Sequence, residues 1–234
     1  MEQIYTIPVN EAFDTAIEAG GCSCPLCILF NKLEENELDL ILGASMMEPD
    51  IRIKTNEQGF CGQHYDRMFR MKNRLGLALM MESHLEQLEK ELRPSVLGNL
   101  VGQKGAKTDR RLKKLESSCY LCGRIESQFS RMIATCVYLY GTDSAFRKKL
   151  VASPMLCLPH AKRLLEEGSA KLQKKYYSDF FDGVYTVAEN YMKGLRSDVS
   201  AFCRSFDYRY QEENVGSAKD SVERTIRYLT SVER

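Results

Sequence analysis

The sequence predicts an all-α fold: a helical bundle built from two similar repeats, each with a CxxC…CxxH metal site. Three observations carry this reading. Apolar residues recur three and four positions apart over long stretches, and no stretch alternates convincingly with a period of two. Two cysteine/histidine units also recur in the same order. Cys24-Pro-Leu-Cys27 is followed after 33 residues by Cys61-Gly-Gln-His64, and Cys119-Tyr-Leu-Cys122 is followed after 34 by Cys157-Leu-Pro-His160.

The elements follow in order. Asn10 is a good helix N-cap, so NEAFDTAIEAGG reads as a short helix closed by Gly20-Gly21. Pro25 suits the first turn of a helix reaching about Leu42, with Gly43 just past its end and Leu26, Leu29, Phe30, Leu33 and Ile41 as its apolar stripe. Residues 44–60 carry Pro49, Asn56 and Gly59 and read as a loop. One long helix is expected from Cys61 to Leu92, burying Tyr65, Met68, Leu75, Leu79, Leu85, Leu88 and Leu92. Gly98, Gly102 and Gly105 make the following stretch a linker. Helices are then expected over about 121–140, near 143–151 and from Cys157–Pro159 onward, with a break near Gly168. A capping-box-like start at Ser217-Ala-Lys-Asp220 introduces a last helix edged by Val222, Ile226 and Leu229. The expected organisation is a first repeat over 1–95, a basic linker over 96–115, a second repeat over 116–200 and an aromatic carboxy-terminal segment over 201–234.

With 234 residues, 44% hydrophobic and 28% charged, the chain can bury a sizeable core. A net charge of +1 gives no global pull toward nucleic acid or anionic lipid. No apolar run approaches the ~18 residues of a membrane span. The amino terminus has neither a basic n-region nor an apolar h-region, which also argues against Gly21-Cys22 as a lipoprotein site, so a cytoplasmic location is expected. In that reducing compartment nine cysteines do not suggest a disulfide framework.

Metal ligation accounts for eight residues. Residues three apart share a helix face, so Cys61 and His64 point one way from a first helical turn, and so do Cys24 and Cys27. Two such pairs make a closed Cys3His zinc cage, with helix amino termini offering N–H groups to the sulfurs. The expected ligands are Cys24, Cys27, Cys61 and His64 for one ion, and Cys119, Cys122, Cys157 and His160 for a second. Spacing leaves open the crossed pairing, in which Cys24 and Cys27 join Cys157 and His160. An iron–sulfur cluster is the alternative cofactor, and redox or catalytic cysteines the alternative chemistry. Cys136 and Cys203 are expected in the core, Cys22 is an alternative ligand to Cys24, which alignment of the repeats prefers, and His84 reads as a surface or boundary residue.

Several stretches, in order, carry a resemblance: IPVNEAF, CPLC, MEPDIRIKTNEQGFCGQHY, ESSCYLC, LCLPHAKRL, and SFDYRY followed by GSAKDSVERTI. Over nearly its whole length the chain resembles an uncharacterised bacterial family of unknown function marked by the paired CxxC/CxxH ligands. Members sometimes carry an automatic label as transporter substrate-binding proteins, which this chain does not support, since it lacks the α/β pattern. The resemblance implies tryptophans near the FDYR region; this chain has none, with Ala201 and Val215 near those places.

Three functions compete. The first is a zinc-binding helical scaffold or protein-interaction module with an unknown protein partner, for which residues 205–220 offer a contact surface. The second is a nucleic-acid-binding zinc protein, drawing on Lys104, Lys107, Arg110, Arg111, Lys113 and Lys114. The third is a metal- or thiol-dependent enzyme, for which no phosphate loop, nucleophile elbow or dinucleotide fingerprint is present. No catalytic residue is assigned, and no membrane role.

Overall fold

The computed structural model describes residues 3–93, 105–207 and 216–232, and among these it is helical with no strand. Its helices are α1 (Thr6–Ala19), α2 (Pro25–Leu42), α3 (Pro49–Gln58), α4 (Gly62–Arg70), α5 (Arg74–Leu92), α6 (Ala106–Ser117), α7 (Tyr120–Thr142), α8 (Ser144–Ala152), α9 (Leu158–Lys171), α10 (Lys174–Arg204) and α11 (Ser221–Thr230). None is long and apolar enough to cross a membrane.

By its internal contacts the chain divides into two compact units, residues 32–128 and residues 1–31 with 129–234. That division differs from the tandem split at 95 and 116 expected from motif order: one unit is inserted into the sequence of the other. Both boundaries fall inside helices, α2 and α7.

In the unit of residues 32–128, α2 closes at Gly43, as its glycine signals. Residues 49–58, expected as loop, form α3, with Pro49 at its start and Gly59 ending it at φ 63°. The helical period is silent there because α3 buries polar groups, Thr55 and Asn56. Arg52 donates to the Leu79 carbonyl (2.5 Å) and the Ser83 hydroxyl (3.1 Å), which in turn donates to Asn56 Oδ1 (3.0 Å). The single helix expected over 61–92 is two. Asn73 caps α5 by accepting from Gly76 N–H at 2.9 Å, and its own amide donates to the Leu42 carbonyl at the end of α2 (2.6 Å). The break rotates the apolar register, so Leu75 and Leu85, expected inside, are 72% and 63% exposed. The expected linker ends early, since α6 occupies 106–117. Of its basic side chains, Arg111 pairs with Glu91, Lys114 with Glu57 (2.5 Å) and Lys113 with Asp109 (2.8 Å).

In the other unit, α1 starts at Thr6, ahead of the expected cap. Asn10 lies inside it and donates to the Thr6 carbonyl (3.0 Å). Phe13 of α1 meets Phe146 of α8 edge-on, with centroids 4.8 Å apart, and Lys149 bonds Asp14 (2.7 Å). The break expected near Gly168 falls instead at Leu172–Gln173, and Gly168 lies inside α9 because α10 comes too close for any side chain. Helix α11 starts at Ser221, with Asp220 as its cap residue but without a side-chain cap bond; its Tyr228 is buried and donates to the Ala188 carbonyl (2.9 Å). Of the segment 205–220, residues 208–215 lie outside the described residues.

Helices α2 and α7 each contribute to both units: in residues 1–31 with 129–234, Phe30 meets Phe129, and in residues 32–128, Glu37 meets Arg124 and Gln128. Glu37 is buried, and Arg124 grips both its oxygens (2.5 and 3.1 Å).

Candidate metal centres

Each CxxC lies at the start of a long helix. Cys24 precedes Pro25 of α2 and Cys27 sits in its first turn; Cys119 precedes α7 and Cys122 sits in its first turn. Each CxxH begins a helix of its own, with Cys61 and Cys157 as extended N-cap residues and the histidine one turn inside. The expected first-turn placement is therefore found at all four motifs.

Their grouping is crossed. Cys24, Cys27, Cys157 and His160 form one cluster, and Cys61, His64, Cys119 and Cys122 the other, each with all four ligand atoms within 4.8 Å. The in-order grouping, Cys24/Cys27 with Cys61/His64, is corrected by this arrangement. The reason is geometric. Each CxxH returns not to the start of the CxxC helix before it but two turns along: His64 to Glu34, seven residues after Cys27, and His160 to Phe129, seven residues after Cys122. Within each unit that point on one helix lies near the start of the other: His64 links Glu34 to Cys119 and Cys122, and His160 links Phe129 to Cys24 and Cys27.

The distances suit one tetrahedral ion. Zn–S bonds of about 2.3 Å and a Zn–N bond of about 2.0–2.1 Å separate two sulfurs by about 3.8 Å, and sulfur from nitrogen by about 3.5 Å. In the cluster of Cys24 and Cys157, Cys27 Sγ lies 3.7 Å from Cys157 Sγ, and His160 Nδ1 lies 3.8, 3.4 and 3.1 Å from the Cys24, Cys27 and Cys157 sulfurs. In the other, Cys61 Sγ lies 3.8 Å from Cys122 Sγ, and His64 Nδ1 lies 3.2, 3.2 and 3.4 Å from Cys61, Cys119 and Cys122. No described cysteine is in a disulfide. The two clusters could hold metal ions, and Nδ1 is the atom that each histidine turns toward the sulfurs.

Electrostatics calls for a cation. Burial pushes the Cys119 thiol up, but hydrogen bonding to the His64 ring and backbone N–H groups brings it down to about 6. Burial and the Cys119 sulfur drive Cys122 up. In the other cluster burial raises Cys24, yet bonds from Cys157, Cys27 and His160 hold it well below the thiol range, while the neighbouring sulfurs push Cys27 upward. In each cluster one thiol is thus held low while a neighbouring one is driven up, a conflict that a divalent ion would remove.

The clusters differ in their surroundings. Cys24, Cys27, Cys157 and His160 are all buried, and His160 packs edge-on against Phe129 (5.2 Å). In the second cluster Cys119 and His64 are buried, Cys61 is half-buried and Cys122 exposed. Where the first has Phe129, the second has Glu34, whose Oε1 lies 3.2 Å from His64 Nε2 and whose Oε2 is held by Arg67. A carboxylate on the far nitrogen of a ligating imidazole fixes tautomer and ring orientation. Burial pushes His64 down, but the Cys119 sulfur and then the Glu34 carboxylate raise it to about 10. Burial pushes Glu34 up, and His64 and Arg67 more than offset it, so its carboxyl lies below the ordinary value of 4.5.

The profile of a family described as a family of unknown function, DUF6062, matches residues 1–234. The chain belongs to DUF6062. Neither the curated proteins nor the solved structures contain a match to it. The remaining cysteines of this DUF6062 chain stand outside both clusters. Cys136 is fully buried, as expected, and burial drives its thiol up. Cys203, expected in the core, is exposed near the end of α10. Cys22 does not replace Cys24; it accepts from Arg227 Nη1 at 3.3 Å. His84 is half-buried in the middle of α5, its Nδ1 2.9 Å from the Asn56 carbonyl. Sequence reasoning missed Glu34, Arg67 and Phe129. The duplicated spacing was a usable signal only for position, since the equivalent residues, Glu34 and Phe129, share no chemistry.

Proposed function

We propose that the chain is a zinc-stabilised helical scaffold that presents a surface to a protein partner, with Cys24, Cys27, Cys157 and His160 holding one Zn²⁺ and Cys61, His64, Cys119 and Cys122 a second. The observation that carries the reading is the four-donor, tetrahedron-sized convergence of both clusters. Four protein ligands close a zinc site and mark it as structural, because a catalytic zinc keeps a position open for water or substrate. Iron–sulfur clusters place several atoms between their ligands and need a wider cage than 4.8 Å.

A contact role is supported by α10, where Phe181 and Tyr185 stack in parallel (5.9 Å, 6°) while 40% and 50% exposed. Aromatic side chains of this kind are enriched at protein interfaces. The nucleic-acid alternative gains nothing comparable, as Arg111, Lys113 and Lys114 are already engaged by carboxylates. Elemental analysis of never-chelated protein tests the metal assignment. Two zinc ions per chain are expected, and less than about one sinks it.

A further inference from the structure

Two ligand sets of the same composition differ in what can reach them. In the cluster of Cys24 and Cys157 every ligand is buried, with Cys157 fully inaccessible and Cys24 at 2%. In the other, two sulfurs from different elements stand toward solvent: Cys122 in the first turn of α7 is exposed, and Cys61 at the head of α4 is half-buried. Their Sγ atoms are 3.8 Å apart. A disulfide needs about 2.05 Å, so a closure of less than 2 Å, by side-chain rotation once the ion is lost, would join them. The other two ligands, Cys119 and His64, lie beneath and are buried. Oxidant therefore meets Cys122 first and finds Cys61, 3.8 Å away and half-buried, as the partner sulfur that solvent also reaches.

We propose that Cys61 and Cys122 form a peroxide-responsive disulfide that releases zinc from the second cluster alone, an inference resting on the zinc reading above. The chemistry balances in two steps. The Cys122 thiolate attacks hydrogen peroxide: an S–O bond forms, the O–O bond breaks, and the departing hydroxide takes a proton to become water. The Cys61 thiolate then attacks the Cys122 sulfur: the S–S bond forms, the S–O bond breaks, and a second hydroxide leaves as water. Two thiolates, one peroxide and two protons give one disulfide and two waters. The ion keeps only Cys119 and His64 and is lost. Access separates the two sites, since oxidation follows thiolate exposure. A thiol reductant restores both sulfurs and, with zinc present, the site.

The test exposes the full-length protein to graded hydrogen peroxide with a chromogenic zinc chelator present, followed by disulfide mapping by mass spectrometry. One zinc equivalent is expected to leave together with a Cys61–Cys122 linkage, while the second ion stays, and dithiothreitol with zinc reverses the change. Cys203→Ser, which removes the exposed thiol outside both clusters, leaves the released amount unchanged. Retention of both ions, release of both in step, or linkages among Cys24, Cys27 and Cys157 would overturn the proposal. Protein that is metal-free before oxidation refutes the zinc reading separately, and the mapping still decides whether Cys61 and Cys122 pair.

Discussion

Glu34 shows how much of a metal site lies outside its ligands. Its two oxygens serve His64 and Arg67, so the carboxylate orients the imidazole and ties α2 to α4. Glu34→Gln is expected to cost about 1–3 kcal/mol in urea unfolding at neutral pH, a charge-assisted bond being weakened in a buried setting. The sign of the pH effect follows from a folded-state value below 4.5. The carboxylate's contribution is full above that ordinary value and disappears as pH falls through the folded one, so the gap between wild type and variant narrows in acid. Equal gaps at pH 7 and pH 3 would remove Glu34 from this role. The ligands themselves are a larger matter. His160→Ala leaves three buried sulfurs around a site whose occupation is worth roughly 10–16 kcal/mol in small zinc modules, and loss of one zinc and of soluble protein is expected in an expression and metal-content assay.

At the scale of elements, Gly168 is the informative position. A Cβ there would lie 2.4 Å from Phe180 Cε1, and Phe180 is fully buried against Tyr140 with centroids 4.8 Å apart. Gly168→Ala is therefore expected to destabilise by about 1–3 kcal/mol despite alanine's better helix propensity, and a thermal melt measures it. From sequence this glycine reads as a helix break, whereas it is a point of close approach within α9. The same limit explains what else was legible. Helix α2 was clear, because Pro25, Gly43 and an apolar stripe agree. Helix α3 was hidden because it docks through Arg52, Asn56 and Ser83, which carry no apolar period. The split between α4 and α5 rests on the two bonds of Asn73, a residue that looks like any other polar position in a helical run.

Across the whole molecule, the eight residues that gather into the two clusters were legible from spacing, but their grouping was not. Spacing along the chain does not reveal that each CxxH returns beside the start of the other long helix, which crosses the pairs. Because Cys61, His64, Cys119 and Cys122 all fall inside residues 32–128, that segment on its own is expected to bind one Co²⁺ with sulfur-to-cobalt charge-transfer absorption. A segment that binds none would mean the unit needs the rest of the chain to form its site. The nesting of one foursome within the other also has a temporal side. On the ribosome the inner set is complete once Cys122 emerges, whereas Cys27 waits 130 residues for Cys157. At about 5–20 residues per second, that is roughly 7–26 s during which Cys24 and Cys27 stand translated and unmatched. On the zinc reading proposed above, a host that makes this protein is expected to supply thiol-reducing capacity and free zinc over that interval, and translation speed becomes a determinant of correct metallation.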